Sequence, residues 1–234
     1  MVEKLLAELP EKVGMEPNLV SYNIVINSFC EMGSLDSALS VVDTLESKGI
    51  EPDLTTINTL LLDALFMKGR IADGEKIWGL RAEKNVVPNI RSYNSKLRGL
   101  VNAHKLSEAL ELWEEMGSKG IKPDAYSYNA LIKGYCDAEN LEQAKKWFSE
   151  LKKSGLSPDW FTYVILVHLY CKKYEFEKAI ELCKEVINRR VMTGAAMFRT
   201  VIDALVKESR VEEAIQLVEF ANPHFRYKLK LPST

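Results

Sequence analysis

The chain has 234 residues, 47% of them hydrophobic and 27% charged, with a formal net charge of -2 and a pI near 6.0. That composition excludes intrinsic disorder, and it lacks the basic excess of a non-specific nucleic-acid binder. Apolar runs such as Thr59 to Phe66 are too short and interrupted to cross a bilayer, which takes about 20 apolar residues, so no membrane partner is expected.

Val2 to Val13 reads as an amphipathic helix, neither a signal peptide nor an Arg/Ser-rich leader. With Pro17-Asn18 it resembles only the second half of the unit that follows, so residues 1–18 are expected to be a partial repeat whose first helix lies upstream. From there a fixed period sets the architecture before any helix is named. Tyr22, Ile57, Tyr93, Tyr128, Tyr163 and Phe198 are spaced by 35, 36, 35, 35 and 35 residues. Tyr128, Leu131, Ile132 and Tyr135 stand at i, i+3, i+4, i+7, as do Tyr163, Leu166, Val167 and Tyr170, and predict an amphipathic first helix. Ala109, Leu110, Leu112, Trp113 and Met116 predict a second, matched by Ala144, Trp147, Phe148 and Leu151 and by Ala214, Ile215, Leu217 and Val218.

Each hairpin closes on a phrase such as Gly49-Ile50-Glu51-Pro52-Asp53 or Gly120-Ile121-Lys122-Pro123-Asp124. Gly supplies a left-handed C-terminal cap, Pro stops continuation, and Asp or the following Ser/Thr caps the next helix. Full repeats are therefore expected at 19–53, 54–89, 90–124, 125–159 and 160–194, then a degenerate repeat at 195–222. The second carries one extra residue, placed near Phe66 to Lys68, where it should lengthen the end of the first helix or the turn. Asn222-Pro223 ends the last helix, and a basic tail at 223–234 replaces a further repeat, as a capped end requires. A lone hairpin cannot bury its stripe, so the predicted fold is all-α, an α-solenoid of stacked helical hairpins. The small residues Ala38, Gly74, Ala109, Ala144, Ala179 and Ala214 are expected to let its helices approach closely.

Cys30, Cys136, Cys171 and Cys183 form no C-x-x-C pair, and His104, His168 and His224 are scattered. No metal site or cofactor is expected; three of the cysteines recur at one place in the repeat and read as small buried residues. There is no H-x-E or P-C-x-x-C element, nucleophile elbow or P-loop, so neither an enzyme, nor catalytic residues, nor a small-molecule substrate is expected.

Val20-Ser21-Tyr22-Asn23, Tyr93-Asn94, Tyr128-Asn129-Ala130-Leu131-Ile132 and Leu106-Ser107-Glu108-Ala109-Leu110 resemble the pentatricopeptide repeat family, P-type, over nearly the whole chain. The 34-residue tetratricopeptide units differ in period and lack the Tyr-Asn opening and Pro-Asp ending. The resemblance implies that first helices line a groove for single-stranded RNA, one base per repeat. The implied readers are the residue after Tyr and the last residue of the repeat: Asn23 with Asp53, Asn58 with Asn89, Asn94 with Asp124, and Asn129 with Asp159.

The chemistry suits that role. An Asn amide presents a donor and an acceptor side by side, matching uracil in one orientation and cytosine when flipped. An acceptor-only Asp holds the amide one way, whereas Asn is ambidextrous, so the resemblance gives 5'-U-Y-U-U-3'. Val164 with Gly194, and Arg199, encode no base. Val20, Thr55, Arg91, Tyr126 and Phe161 occupy the family's base-stacking positions, where an aromatic contributes about 1 to 3 kcal/mol. The phosphate positions hold Glu31, Asn102, Asp137, Lys172 and Lys207, of which only the lysines attract a backbone.

Glu83-Lys84-Asn85-Val86, Ile90-Arg91-Ser92-Tyr93-Asn94 and Lys228-Leu229-Lys230-Leu231-Pro232 are similar to short plant mitochondrial members, some of them in the mitochondrial ribosomal small subunit. That implies a mitochondrial location, with ribosomal RNA and proteins as further partners. Two alternatives stay open. Asp53, Asp124 and Asp159 are N-caps only, or readers too; the solenoid reads RNA, or it is a protein-binding scaffold. A reader should place Asn23, Asn58, Asn94 and Asn129 along one groove with open space before them.

Overall fold

The computed structural model describes residues 17–50, 62–83, 88–191, 194–225 and 228–232, without the side chains of residues 80–83. The expected partial repeat, apart from its last two residues, lies outside these. All regular structure among the described residues is helical. Helices α1 (Leu19–Glu31), α2 (Leu35–Ser47), α3 (Asp63–Met67), α4 (Ile71–Glu83), α5 (Ile90–Asn102) and α6 (Leu106–Ser118) belong to one compact unit, Met1–Pro123. Helices α7 (Ala125–Asp137), α8 (Leu141–Lys153), α9 (Trp160–Lys172), α10 (Phe176–Asn188), α11 (Ala195–Lys207) and α12 (Val211–Ala221) form the other, Asp124–Thr234.

Within the first unit α1 packs on α2, α3 on α4 and α5, and α5 on α6. Within the second, the hairpins α7–α8, α9–α10 and α11–α12 stack so that α9 lies against both α7 and α11. Each unit is thus a stretch of α-solenoid, with first helices packed side by side at α3–α5 in one and along α7, α9 and α11 in the other.

Local sequence explains where helices begin and stop. Side chains of Asn18, Asn89, Asp124 and Asp159 accept the backbone N–H three residues on, capping α1, α5, α7 and α9. Ser92 and Ser127 close capping boxes by accepting the N–H of Asn89 and Asp124. Every described hairpin turn passes through one left-handed residue: Gly33, Gly69, His104, Glu139, Tyr174 or Ser209. There the N–H of the next residue reaches back to the helix, as from Arg210 to the Leu205 carbonyl at 2.8 Å. The same device ends α2, α6, α8 and α10 at Gly49, Gly120, Gly155 and Arg190.

Packing explains the repeated residue types. Tyr22, Tyr93 and Tyr163 are fully buried, with the last two meeting Trp78 and Phe148 edge-on at 5.2 and 5.8 Å. Their hydroxyls reach carboxylates late in the second helix, Tyr93 donating to Glu115 and Tyr163 to Glu185, both at 3.0 Å. Tyrosine fits because its ring fills the core while its tip meets a polar helix end. Ala38, Ala109, Ala144, Ala179 and Ala214, each fourth in its second helix, are completely buried, as close approach requires.

The second hairpin is the exception. Its turn, Lys68-Gly69-Arg70, is as short as the others, and the extra residue is taken up at Leu62, whose backbone is π-helical just before α3. The insertion therefore precedes the turn, since one wide turn absorbs a residue without disturbing the Gly69 cap. Phe66 stands at the penultimate position where α1, α7 and α9 carry Cys30, Cys136 and Cys171. Glycine makes room for it: a Cβ at Gly74 would lie 2.8 Å from the Phe66 ring, and one at Gly99 2.5 Å from Phe66 Cβ.

At the far end, Asn222 in the 3-10 turn Asn222–His224 accepts the Leu229 N–H at 2.6 Å and donates to its carbonyl at 3.3 Å. Leu229 is 3% exposed, and Phe225 meets Phe198 edge-on at 5.1 Å. This part of the tail covers the end of the last hairpin.

Two stability predictions follow. Overpacking of about 1 to 3 kcal/mol at Gly99→Ala should outweigh a helix-propensity gain of about 1 kcal/mol, whereas Gly79→Ala, with nothing within 4 Å, should show the gain alone. Urea midpoints of the two variants should move in opposite directions. Ser209→Gly removes left-handed strain at φ 60° and should stabilise the protein by about 1 kcal/mol in the same assay.

Candidate nucleic-acid interface

The second unit shows how the repeat junction builds a polar site. Asp159 ends one repeat and caps α9, accepting the Thr162 N–H on Oδ1 at 2.9 Å. Because α9 packs against α7, its other oxygen faces Asn129, whose Nδ2 donates to Oδ2 at 3.0 Å. The carboxylate cannot donate, so the facing amide atom must be nitrogen. The Asn129 carbonyl then accepts from the Thr162 hydroxyl, which is also 2.9 Å from Asp159 Oδ1. Asp159 thus joins the two roles that its sequence position suggested: one oxygen caps a helix and the other fixes an amide.

Asn129 is only 5% exposed, against the expectation of open space before it. The start of α9 covers the amide through the contacts just named. Asn23 and Asn94 are half-buried. Asn89 is the N-cap of α5 and Asp124 that of α7, as their place before a helix dictates. Asp53, Thr55 and Asn58 lie outside the described residues.

Side chains at the second position of the first helices point outward. Tyr126 is 71% and Val20 64% exposed, and Arg91 is exposed; Phe161 is half-buried with its ring 6.0 Å from Trp160. Tyr126 stands one turn before Asn129, so both share a helix face. Large apolar side chains left in water at this position provide platforms for a flat ligand.

A cavity of about 670 Å³ opens along the same layer of first helices, lined by Asp137 of α7, Val164, His168 and Lys172 of α9, and Thr200 and Lys207 of α11. Both lysines named as phosphate contacts line it. Lys172 pairs with Glu139 at 2.5 Å, and hydrogen bonds from Lys172 and Lys173 hold that carboxyl below the usual carboxylate range. At the equivalent acidic positions, Glu31 accepts from Asn27 at 2.9 Å and Asp137 pairs with Lys133. Electrostatic attraction for a phosphate backbone is weakened at Lys172, which already holds a carboxylate, whereas no ion pair among the described residues engages Lys207.

Burial pushes the thiols of Cys30 and Cys171 up to about 11 and that of Cys136 up to about 12. They are inert, space-filling groups. No cluster of His, Cys, Asp or Glu suited to a metal ion occurs among the described residues. The residue that sequence reasoning missed is Thr162. Its signal was present in the Ser or Thr that precedes each Tyr, read there only as a helix-capping residue.

Removing the carboxylate should cost stability twice, through the cap at about 1 kcal/mol and through the stranded Asn129 amide at about 1 to 3 kcal/mol. Asp159→Ala should therefore unfold at lower urea than Asp159→Asn, which keeps the cap.

Comparison with known proteins places this geometry. The PPR repeat family matches residues 17–62, 88–137 and 124–172, the pentatricopeptide repeat domain matches 40–103, and further PPR repeats match 161–191 and 196–220. A mitochondrial pentatricopeptide repeat-containing protein of Arabidopsis thaliana is 38% identical over 81 residues, 35% of this chain and 20% of that protein. The small ribosomal subunit protein mL103 (rPPR7) of the same plant is 29% identical over 98 residues, 41% of this chain and 23% of that one. The crystal structure of PPR10 from maize superposes with a TM-score of 0.69 at 26% identity, over 94% of this chain and 31% of the maize chain. The chain therefore spans between about a fifth and a third of the length of these proteins. With one pattern matching more than half of its residues, this chain belongs to the PPR, or pentatricopeptide, repeat family.

Proposed function

We propose that the chain binds single-stranded RNA along its first helices, one base per repeat, and acts in mitochondrial RNA metabolism or translation without catalysing a reaction. Asn23, Asn58, Asn94 and Asn129 read bases, partnered by Asp53, Asn89, Asp124 and Asp159, in the order 5'-U-Y-U-U-3'. The observation that carries the reading is the 3.0 Å bond from Asn129 to Asp159 across a repeat junction. It holds the amide in one orientation, which the family resemblance assigns to uracil rather than cytosine.

Two further observations support it. Val20, Arg91 and Tyr126 are exposed at the stacking positions, where they receive bases. Lys172 and Lys207 line the cavity beyond the proposed reading repeats, where they meet phosphates, Lys172 after releasing Glu139. Since Asn129 is covered on one side, the base comes to the remaining amide edge, guided by Tyr126 on the same helix face. Maize PPR10 has itself been solved with an 18-nt RNA element, at 20% identity to this chain.

The likeness to small ribosomal subunit proteins favours a second setting for the same surface, as part of a mitochondrial ribonucleoprotein whose RNA and proteins share the binding.

The test is a fluorescence titration with a UCUU-containing RNA in an A-rich context, beside an all-A control and Asn94→Ala/Asn129→Ala. Preference for UCUU that the double variant loses is expected. Equal binding of both RNAs would refute base reading, and no binding to either would favour the ribonucleoprotein setting.

A further inference from the structure

Resting on that reading, we propose that Thr162 is a third specificity residue for the base read by Asn129 and Asp159, a positioning residue that acts through the amide. Asp159 alone sets which end of the amide is nitrogen. One hydrogen bond, however, leaves the group free to rock about the contact. A bidentate pair with a base edge needs the amide held in the plane of that base, and a plane needs a second fixed point.

Thr162 supplies it. It is 0% exposed, and its hydroxyl donates to Asn129 Oδ1 while Asp159 accepts from Asn129 Nδ2, so both ends of the amide are engaged. Asp159 Oδ1, which takes the Thr162 backbone N–H, is a second acceptor 2.9 Å from the hydroxyl, but the contact with Asn129 Oδ1 is the shorter one. The result is a directional chain, from the Thr162 hydroxyl to the Asn129 carbonyl and from the Asn129 amine to the Asp159 carboxylate. Asp159 sets the direction at one end, and Thr162 holds the plane at the other. One lone pair on Oδ1 and one hydrogen on Nδ2 remain for the base, the complement of uracil N3–H and a carbonyl.

Thr162 belongs to the repeat after the one whose base it helps to select. Reading is therefore a property of the junction between two packed first helices, α7 and α9. In the last repeat the equivalent residue is Met197, which has no hydroxyl, and the preceding pair is Val164 with Gly194. That junction lacks all three groups together, which accounts for its carrying no base identity.

The test uses the whole chain with UCUU and UCUC RNAs, which differ only at the base assigned to Asn129, and with UCCU, which probes Asn94. Wild type should prefer UCUU to UCUC. Thr162→Val, matched in shape, should lower that ratio by about threefold to tenfold, the scale of one lost hydrogen bond, while the UCUU to UCCU ratio holds. Thr162→Ser should restore it. In the RNA-free protein, Thr162→Val should also speed solvent exchange of the Asn129 side-chain amide protons, a readout that does not depend on RNA. An unchanged UCUU to UCUC ratio in Thr162→Val, or unchanged amide exchange, would overturn the role of Thr162 and leave the Asn129–Asp159 pair as the whole reader. Lack of discrimination in wild type would overturn the pairwise reading itself, and this inference with it.

Discussion

A pair of 13-residue helices cannot cover its own apolar stripe, and the rest of the structure depends on that shortfall. First helices lie against one another within each unit, as α3 does on α5, α7 on α9 and α9 on α11. That packing brings the residue that closes one repeat beside the fifth residue of the helix before it. Where the closing residue caps through its side chain, as Asn89, Asp124 and Asp159 do, it is short, polar and an acceptor. A capping carboxylate has a second oxygen, and at Asp159 it falls on Asn129. The proposed reading site is thus a by-product of how the repeats are capped and stacked.

The charges are arranged to stabilise the stack rather than to attract a polyanion. Arg70 bridges Asp36 of the preceding hairpin and Asp73 of its own, both at 2.6 Å, and Arg210 does the same with Glu177 and Glu213 at 2.5 Å. Such exposed pairs contribute little singly, about 0 to 1 kcal/mol, but they set the spacing of successive second helices. With lysines and carboxylates matched in this way, the proposed selectivity rests on base edges and stacking, which are short-ranged and survive salt better than phosphate contacts.

Much of this was legible in the sequence. The Tyr22-to-Phe198 period, the Gly-Pro-Asp endings and the small fourth residue of each second helix predicted the hairpins, because helix caps, turns and close packing have narrow chemical requirements. The place of the extra residue was not legible, since a wide turn at Leu62 leaves no mark in residue type. Burial of Asn129 was missed for a related reason: exposure depends on the neighbouring repeat, and periodicity within one helix reports only its own two faces. Thr162 was hidden by having a second, ordinary explanation as a cap-side residue. The three recurrent cysteines, read as small buried residues, are half-buried, and burial still raises their thiols above the usual range.

The central claim is that the residue closing a repeat dictates which pyrimidine the preceding Asn accepts. Selection of bound RNAs from a random pool by wild type and by Asp159→Asn measures it directly, because every position is scored at once. The account predicts a U-Y-U-U consensus for wild type and, in the variant, a shift toward mixed pyrimidine at the fourth base only. An unchanged consensus in the variant, or a change spread over all four positions, would contradict it.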